Sequence, residues 1–144
     1  VNLRVGHVYG PGEEKYRKMI PLAIKQILDG KPVELWGDGL DLRSFIFIND
    51  VIESIMNALT TLNTNIDINV VSGNAVSILE LVNILKSLST ETVKILRRDS
   101  DHIRRNLTFD NSFLLKTLLQ KETDLRRGLK IEYEYMKSKH ENNF

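Results

Sequence analysis

The chain has 144 residues, 42% of them apolar and 27% charged, which suits one globular domain or a large piece of one. Twenty basic against nineteen acidic residues leave a net charge of +1, which argues against a dedicated nucleic-acid binder. The absence of cysteine excludes disulfides and thiolate metal sites, and three scattered histidines argue against a histidine metal cluster. No apolar run approaches the roughly 20 residues that a membrane span requires, so we expect no membrane partner and a cytoplasmic location.

Residues 1–8 predict a buried or half-buried strand that ends in the turn Tyr9-Gly10-Pro11-Gly12. Because the chain opens inside an apolar strand without an initiator methionine, we expect it to be cut from something longer. The composition leaves open whether such a cut is natural.

Alternating strand and helix patterns follow, and such alternation predicts an α/β fold. Two capping boxes, Asp50 with Glu53 and Ser77 with Glu80, mark the starts of helices. An apolar stripe on the first of these helices includes Ile52, Ile55, Met56 and Leu59. The predicted strands cover residues 33–36, 44–48, 65–71, 92–96 and 107–109. The other predicted helices cover residues 16–30, 78–88, 111–119 and 124–137, and residues 138–144 form a frayed polar tail.

Three passages carry a resemblance to a known family. They are LRVGHVYGP at 3–11, WGDGLDLRSFIFINDV at 36–51, and NVVSG at 69–73 leading into SILEL at 77–81. In this order and spacing they resemble the C-terminal half of an extended short-chain dehydrogenase/reductase. Within that group, they are most similar to the NAD-dependent nucleotide-sugar epimerase/dehydratase family.

The resemblance implies the last strands of a Rossmann-like parallel sheet, at residues 1–11 and 65–90. It also implies a small mixed α/β substrate-binding lobe at 12–64 and 91–137, with the tail at 138–144. The N-terminal dinucleotide-binding half is absent from this pattern. Neither Gly10-Pro11-Gly12 nor Gly37-Asp38-Gly39 completes a pyrophosphate fingerprint, because Lys15 and Leu42 stand where glycine is needed.

The intact family uses NAD or NADP, and we expect this chain alone to bind neither. Its catalytic Tyr-x-x-x-Lys pair precedes the Tyr-Gly-Pro passage. Here that spacing occurs only near the end of the chain, and we interpret both instances as packing or solvated residues. They are Tyr133 with Lys137 and Tyr135 with Lys139.

Arg43 is the first candidate binding residue. The resemblance implies that it reaches the diphosphate of a nucleotide-sugar, and a guanidinium forms bidentate, charge-assisted bonds to phosphate. The alternative is a surface ion pair with Asp38 or Asp41.

Arg98 and Asp101 are the next candidates. The resemblance implies a second diphosphate ligand and a contact to the sugar ring of the nucleotide, although Arg97 competes for the arginine position. The alternative is that residues 97–105 form a solvated charged segment.

His7 stands where the family commonly has asparagine, and it is either a contact to sugar or phosphate or a satisfied structural residue. Val5 and Gly6 lie where the intact family faces the nicotinamide, but Gly6 could equally relieve packing. Leu35 and Trp36 lie on the strand resembling the base-contacting edge. Trp36 either stacks on a base or belongs to the core.

These observations predict the nucleotide-sugar binding portion of an NAD(P)-dependent sugar epimerase/dehydratase, inactive alone. The alternative is a non-catalytic module that forms a homo-oligomer or assembles with a chain carrying the missing N-terminal half. The predicted strands at 3–8 and 65–71 resemble members of the parental parallel sheet, and without their neighbours they would expose edges and one bare apolar face, which favours that alternative.

Overall fold

A computed structural model describes residues 1–61, 65–101 and 103–142. The predicted α/β class is confirmed. The strands are β1 (Asn2–Val5), β2 (His7–Tyr9), β3 (Val33–Trp36), β4 (Leu42–Phe47), β5 (Asp67–Val70), β6 (Ala75–Ser77) and β7 (Ile95–Arg98). The helices are α1 (Met19–Leu28), α2 (Ile48–Thr61), α3 (Ile78–Leu88), α4 (Ser112–Thr117) and α5 (Leu125–Glu141), and a 3-10 turn covers Glu13–Lys15.

The predicted first strand is divided at Gly6 between two sheets. β1 pairs in parallel with β5, whereas β2 pairs in parallel with β4, which also pairs antiparallel with β6. The amide of Gly6 donates to the carbonyl of Val70 at 3.0 Å, and a Cβ at Gly6 would lie 2.9 Å from Cγ1 of Val71. Close packing therefore accounts for this glycine. The third sheet pairs β3 with β7 in parallel.

Two apolar clusters form the core. The first lies between α1, α3 and α5 and includes Ile24, Leu81 and Leu129. The second joins β4 and β5 to α4 through Ile46, Ile68, Val70 and Leu114. The helical spacing of apolar residues predicts these contacts for α1 and α3, and Gly30 ends α1 with a positive φ of 67° as expected for a glycine after a helix.

The predicted capping role of Asp50 is wrong. Helix α2 already begins at Ile48, and the carboxylate of Asp50 accepts hydrogen bonds from the backbone N of Thr123 at 2.8 Å and from its Oγ1 at 2.6 Å. Asp50 therefore ties the start of α2 to the segment that precedes α5. The second capping box is confirmed at its first residue, since Oγ of Ser77 accepts from the amide of Glu80 at 3.1 Å.

The predicted boundaries move in the C-terminal third of the chain. β7 begins at Ile95 rather than at residue 92, and the strand predicted at 107–109 is only an isolated bridge between Leu107 and Arg43. Helix α5 continues through most of the predicted frayed tail, where Nε2 of His140 lies 3.1 Å from Oδ1 of Asp29. Residues 143 and 144 lie outside the described residues. No helix in the described ranges is long and apolar enough to cross a bilayer.

Helix α5 packs closely against β2 at Gly128. A Cβ at this position would lie 2.1 Å from the hydroxyl oxygen of Tyr9, whose side chain is fully buried and packs against Phe47. Burial raises the pKa of this tyrosine, with the charge of Asp50 as the next cause, so the phenol is neutral. The contact leaves no room for a methyl group.

Gly128→Ala is therefore expected to lower the free energy of unfolding by up to about 2 kcal/mol, because overpacking, at about 1–3 kcal/mol, outweighs the roughly 1 kcal/mol by which alanine favours a helix. Urea denaturation measures this difference. Glu134→Ala, on the exposed face of the same helix, serves as the control and should change stability by less than about 0.5 kcal/mol. A Gly128→Ala variant as stable as the parent would show that α5 and β2 are not in close contact.

Candidate anion-binding site

A cavity of about 250 Å³ opens between β2, β4 and the start of α1. Two of the predicted site residues, His7 and Arg43, line it together, and Lys18 and Glu13 are its other ionisable residues. The remaining wall is apolar. With two permanent cations and one carboxylate, the cavity has the charge and the donors to hold an anion.

Arg43 lies on β4 and is oriented by the backbone around it. Its Nη1 donates to the carbonyl of Leu42 at 2.8 Å and to the carbonyl of Arg105, and its side chain is only 23% exposed. Nη2 lies 3.7 Å from Oδ1 of Asp41, so one of the ion pairs weighed from the sequence is present at long range. The other partner, Asp38, pairs with Arg104 instead. The guanidinium is thus fixed at the cavity wall.

Asp41 organises the segment that crosses over Arg43. Its buried carboxylate accepts from the backbone N of Arg105 at 2.7 Å. Next to it, Leu42 donates to the side-chain oxygen of Asn106 at 3.2 Å and accepts from the amide of Leu107 at 2.9 Å. Residues 105–107 therefore form a strap across the start of β4. Sequence reasoning missed this role because the partners of Asp41 lie 64 positions away.

His7 is exposed on β2, with its ring centroid 6.0 Å from that of Phe45. The parallel register pairs His7 with Phe45, and Arg43 lies two positions earlier on the same strand. Because alternate residues of a strand share a face, Arg43 and Phe45 point to the same side of the sheet. This register brings the imidazole and the guanidinium to one cavity.

Lys18 is a site residue that sequence reasoning missed. It immediately precedes α1, and its Nζ donates to the carbonyl of Val8 at 3.0 Å and to Oε2 of Glu13 at 2.9 Å. The only sequence signal is a cation just before a helix, which is common at protein surfaces. The two bonds hold the ammonium group at the cavity wall while its side chain stays half exposed.

A second cavity of about 270 Å³ adjoins the first, with Met19 and Ile78 lining both. Trp36 lies at this second cavity and is 61% exposed, so the interpretation of Trp36 as a core residue is wrong. Leu35 is 2% exposed and packs beneath Gly39, so its side chain does not reach either cavity.

Arg98 lies opposite Trp36 in the β3–β7 pair but lines neither of these two cavities. Its Nη2 and Nε donate to Oε1 of Glu34 at 2.7 and 3.2 Å. The competing residue, Arg97, donates to the carbonyl of Asp38 at 3.1 Å. Asp101 is exposed beyond the end of β7. Neither Arg98 nor Asp101 lines the cavity that contains Arg43, and their binding roles stay predictions.

The residues predicted to face the nicotinamide lie at the end of β1. Val5 is exposed there, and the lack of a side chain at Gly6 is explained by its contact with Val71. These two residues do not by themselves fit a dinucleotide site. Residues of the two Tyr-x-x-x-Lys sequences on α5 contact the core and the 3-10 turn. Tyr133 is buried in the core, and Nζ of Lys139 lies 2.7 Å from Oε1 of Glu14 on the turn.

Comparison with known proteins places this geometry in a family. A profile of the NAD dependent epimerase/dehydratase family matches residues 1–71. The chain is 30% identical to GDP-mannose 3,5-epimerase 1 of Oryza sativa subsp. indica, over 95% of this chain and 38% of that protein. It is 34% identical over 89 residues to dTDP-4-dehydro-6-deoxy-D-allose reductase of Streptomyces bikiniensis, over 60% of this chain and 27% of that one.

A solved structure gives the same result. UDP-glucuronic acid 4-epimerase from Bacillus cereus, crystallised with UDP-glucuronic acid and NAD, matches with a TM-score of 0.80 and 30% identity. The match covers 94% of this chain and 44% of that one. The chain therefore belongs to the NAD-dependent epimerase/dehydratase family of extended short-chain dehydrogenase/reductases, as its motifs indicate. It spans less than half the length of each of these three relatives.

Proposed function

We propose that this chain forms the nucleotide-sugar binding portion of an NAD(P)-dependent sugar epimerase or dehydratase. The observation that carries the proposal is the convergence of Arg43, Lys18 and His7 on one cavity. The family relationship supports it, because a relative of known structure was crystallised with UDP-glucuronic acid and NAD.

The diphosphate is the part of the ligand that suits this cavity. Arg43 offers a planar guanidinium already fixed by two backbone carbonyls, so little side-chain entropy is lost when a phosphate binds. Lys18 adds a second positive charge, and the imidazole of His7 is able to donate a hydrogen bond to a phosphate or hydroxyl oxygen. Partial burial strengthens these interactions relative to open water.

The base of the nucleotide would lie toward Trp36. The two cavities share a wall at Met19 and Ile78, so a ligand whose diphosphate contacts Arg43 extends naturally into the second cavity. There the exposed indole offers an apolar surface for stacking. Arg98 itself lines neither cavity, but it is held against Glu34, which lines the second one.

In our proposal, the residues of the two cavities bind the nucleotide-sugar and take no part in hydride transfer. When bound in the intact family, NAD or NADP supplies hydride transfer to and from a sugar carbon. Val5 and Gly6 lie at the end of a strand and supply no side-chain hydrogen-bonding group for such a cofactor. We interpret the Tyr-x-x-x-Lys sequences of α5 as packing or solvated residues. We therefore propose that the chain alone binds nucleotide-sugars without turning them over.

Isothermal titration with UDP-, dTDP- and GDP-sugars tests the proposal. Arg43→Leu should weaken binding of the preferred ligand roughly 10- to 100-fold, since a charge-assisted hydrogen bond contributes about 1.5–3 kcal/mol. Arg126→Leu is the matched control, because this arginine is exposed on α5, away from the cavity. It should leave affinity unchanged. Equal affinity of the Arg43→Leu variant and the parent, with both folded, would contradict the proposed site.

A second candidate function, assembly with another chain, is favoured by a specific surface. The apolar stripe predicted on α2 is exposed along one side of the helix at Ile52, Ile55, Met56 and Leu59. Among the described strands, β1 pairs with β5 alone, so its other edge offers unpaired backbone groups. An exposed apolar stripe and an open strand edge each suit pairing with a second copy or with a chain carrying the dinucleotide-binding half.

Multi-angle light scattering tests this second candidate on the purified chain. We expect a mass above the 16.6 kDa of one chain, and we expect Met56→Glu with Leu59→Glu to shift the protein toward monomer. Ile131→Glu places the same charge at a partly exposed apolar position on α5 and should not change the mass. A parent protein that is monomeric at all accessible concentrations would rule out self-association through this surface.

A further inference from the structure

Two buried carboxyl groups, those of Glu13 and Glu132, interact with each other next to the anion-binding cavity, which Glu13 lines. Glu13 belongs to the 3-10 turn and is 8% exposed, and Glu132 lies on α5 and is 1% exposed. No side-chain nitrogen or hydroxyl group among the described residues donates a hydrogen bond to either oxygen of Glu132 or to Oε1 of Glu13. Such an arrangement needs a physical explanation, because buried unpaired carboxylates are costly.

A shared proton provides that explanation. Burial, with the nearby charge of Glu13 as the next cause, raises the pKa of Glu132 to about 8. Glu13 is the ionised partner, because Nζ of Lys18 donates to its Oε2 at 2.9 Å. At neutral pH the pair therefore holds one proton and one negative charge.

The other ionisable groups around the pair do not neutralise it. Glu14, next to Glu13 on the turn, is bonded to Lys139 of α5 at 2.7 Å and adds negative charge. Tyr9 of β2 is buried nearby as a neutral phenol. Lys18 is the one cation that bonds directly to the pair within the described part of the chain.

Lys18 connects this pair to the ligand site. Its Nζ bridges Oε2 of Glu13 and the carbonyl of Val8, and both Glu13 and Lys18 line the cavity that contains Arg43. The position of the ammonium group therefore depends on where the Glu13 carboxylate lies and on its charge. A change in the proton content of the pair changes both.

We propose that Glu132 is a positioning residue for this cavity: by sharing a proton with Glu13 it keeps a single negative charge beside Lys18 and holds that ammonium group at the cavity wall. Loss of the proton would place two buried negative charges side by side. Their repulsion would push the 3-10 turn away from α5 and withdraw the anchor of Lys18. This inference rests on the proposed function, since it concerns the affinity of the same site.

The pH dependence follows from the direction of the shift. The pKa of Glu132 is higher in the folded chain than the ordinary value of 4.5 for an exposed glutamate, so the folded state holds more protons than the unfolded state between these values. The stabilisation by this proton is complete below about pH 4.5 and is lost as the pH rises through about 8. At pH 9, only about one molecule in ten retains the proton, so affinity for a diphosphate should be roughly tenfold weaker than at pH 7.

The test compares the parent with Glu132→Gln, which keeps the shape and a donor without the titratable group, and with Glu134→Gln on the exposed side of α5 as the control. Thermal unfolding is followed from pH 5 to pH 9, and UDP affinity is measured by isothermal titration at pH 7 and pH 9. We expect stability and UDP affinity to fall across the upper part of this range in the parent and in the control. Both should be nearly flat in Glu132→Gln.

Glu13→Gln provides a second variant in case Glu132→Gln does not fold, since it removes the partner charge and should also flatten the stability profile. If the parent binds UDP and the Glu132→Gln variant shows the same pH dependence of UDP affinity, the positioning role of Glu132 is overturned and the proposed function is not. A parent that binds no UDP or nucleotide-sugar at any pH overturns the proposed function, and the positioning role falls with it. The stability profiles separate these cases, because they need no ligand.

Discussion

The geometry of the whole site depends on the change of strand partner at Gly6. Before this residue the chain pairs with β5, and after it the chain pairs with β4. The switch requires a backbone that passes within van der Waals contact of Val71, which leaves no space for a side chain at position 6. Because the switch sets the register of β2, it also decides which residue of that strand lies opposite Phe45. A register shift of one residue would turn the imidazole of His7 to the other face.

The second sheet then acts as a rigid frame for the cations. At Arg43 the backbone of β4 pairs with Val76 of β6 on one side and bridges Leu107 on the other, whereas β2 pairs further along the strand, from Phe45 onward. The strap of residues 105–107, which contains Leu107, is itself held by the carboxylate of Asp41. By contrast, Lys18 is anchored by a single carboxylate and one carbonyl. Arg43 is thus fixed by the pairing of its strand, whereas the position of Lys18 depends on the ionised carboxylate of Glu13.

Local sequence patterns predict those parts of the fold whose causes are local. The strand at 33–36, the helix after Ser77 and the glycine that ends α1 agree with the structure because period, capping and turn chemistry involve neighbouring residues. The same patterns fail for Asp50, whose partner Thr123 is 73 positions away, and they leave open the burial of the α2 stripe, four of whose apolar side chains are exposed. Periodicity identifies an apolar face but does not say what covers it.

The candidate site divides in the same way. Arg43 and His7 were identified from motifs, and the fold brings them together. Lys18, Asp41 and the Glu13–Glu132 pair carry no sequence signature, since their roles arise from contacts between distant segments. Leu35 and Trp36 are adjacent in sequence, yet strand alternation buries one and exposes the other.

A crystal structure of the chain with UDP bound is the most direct test of the central claim that Arg43 and Lys18 hold a diphosphate. The account predicts phosphate oxygens within hydrogen-bond distance of the Arg43 guanidinium and of Nζ of Lys18, with the base directed toward Trp36. A diphosphate bound elsewhere on the protein, with the cavity between β2, β4 and α1 empty, would contradict it.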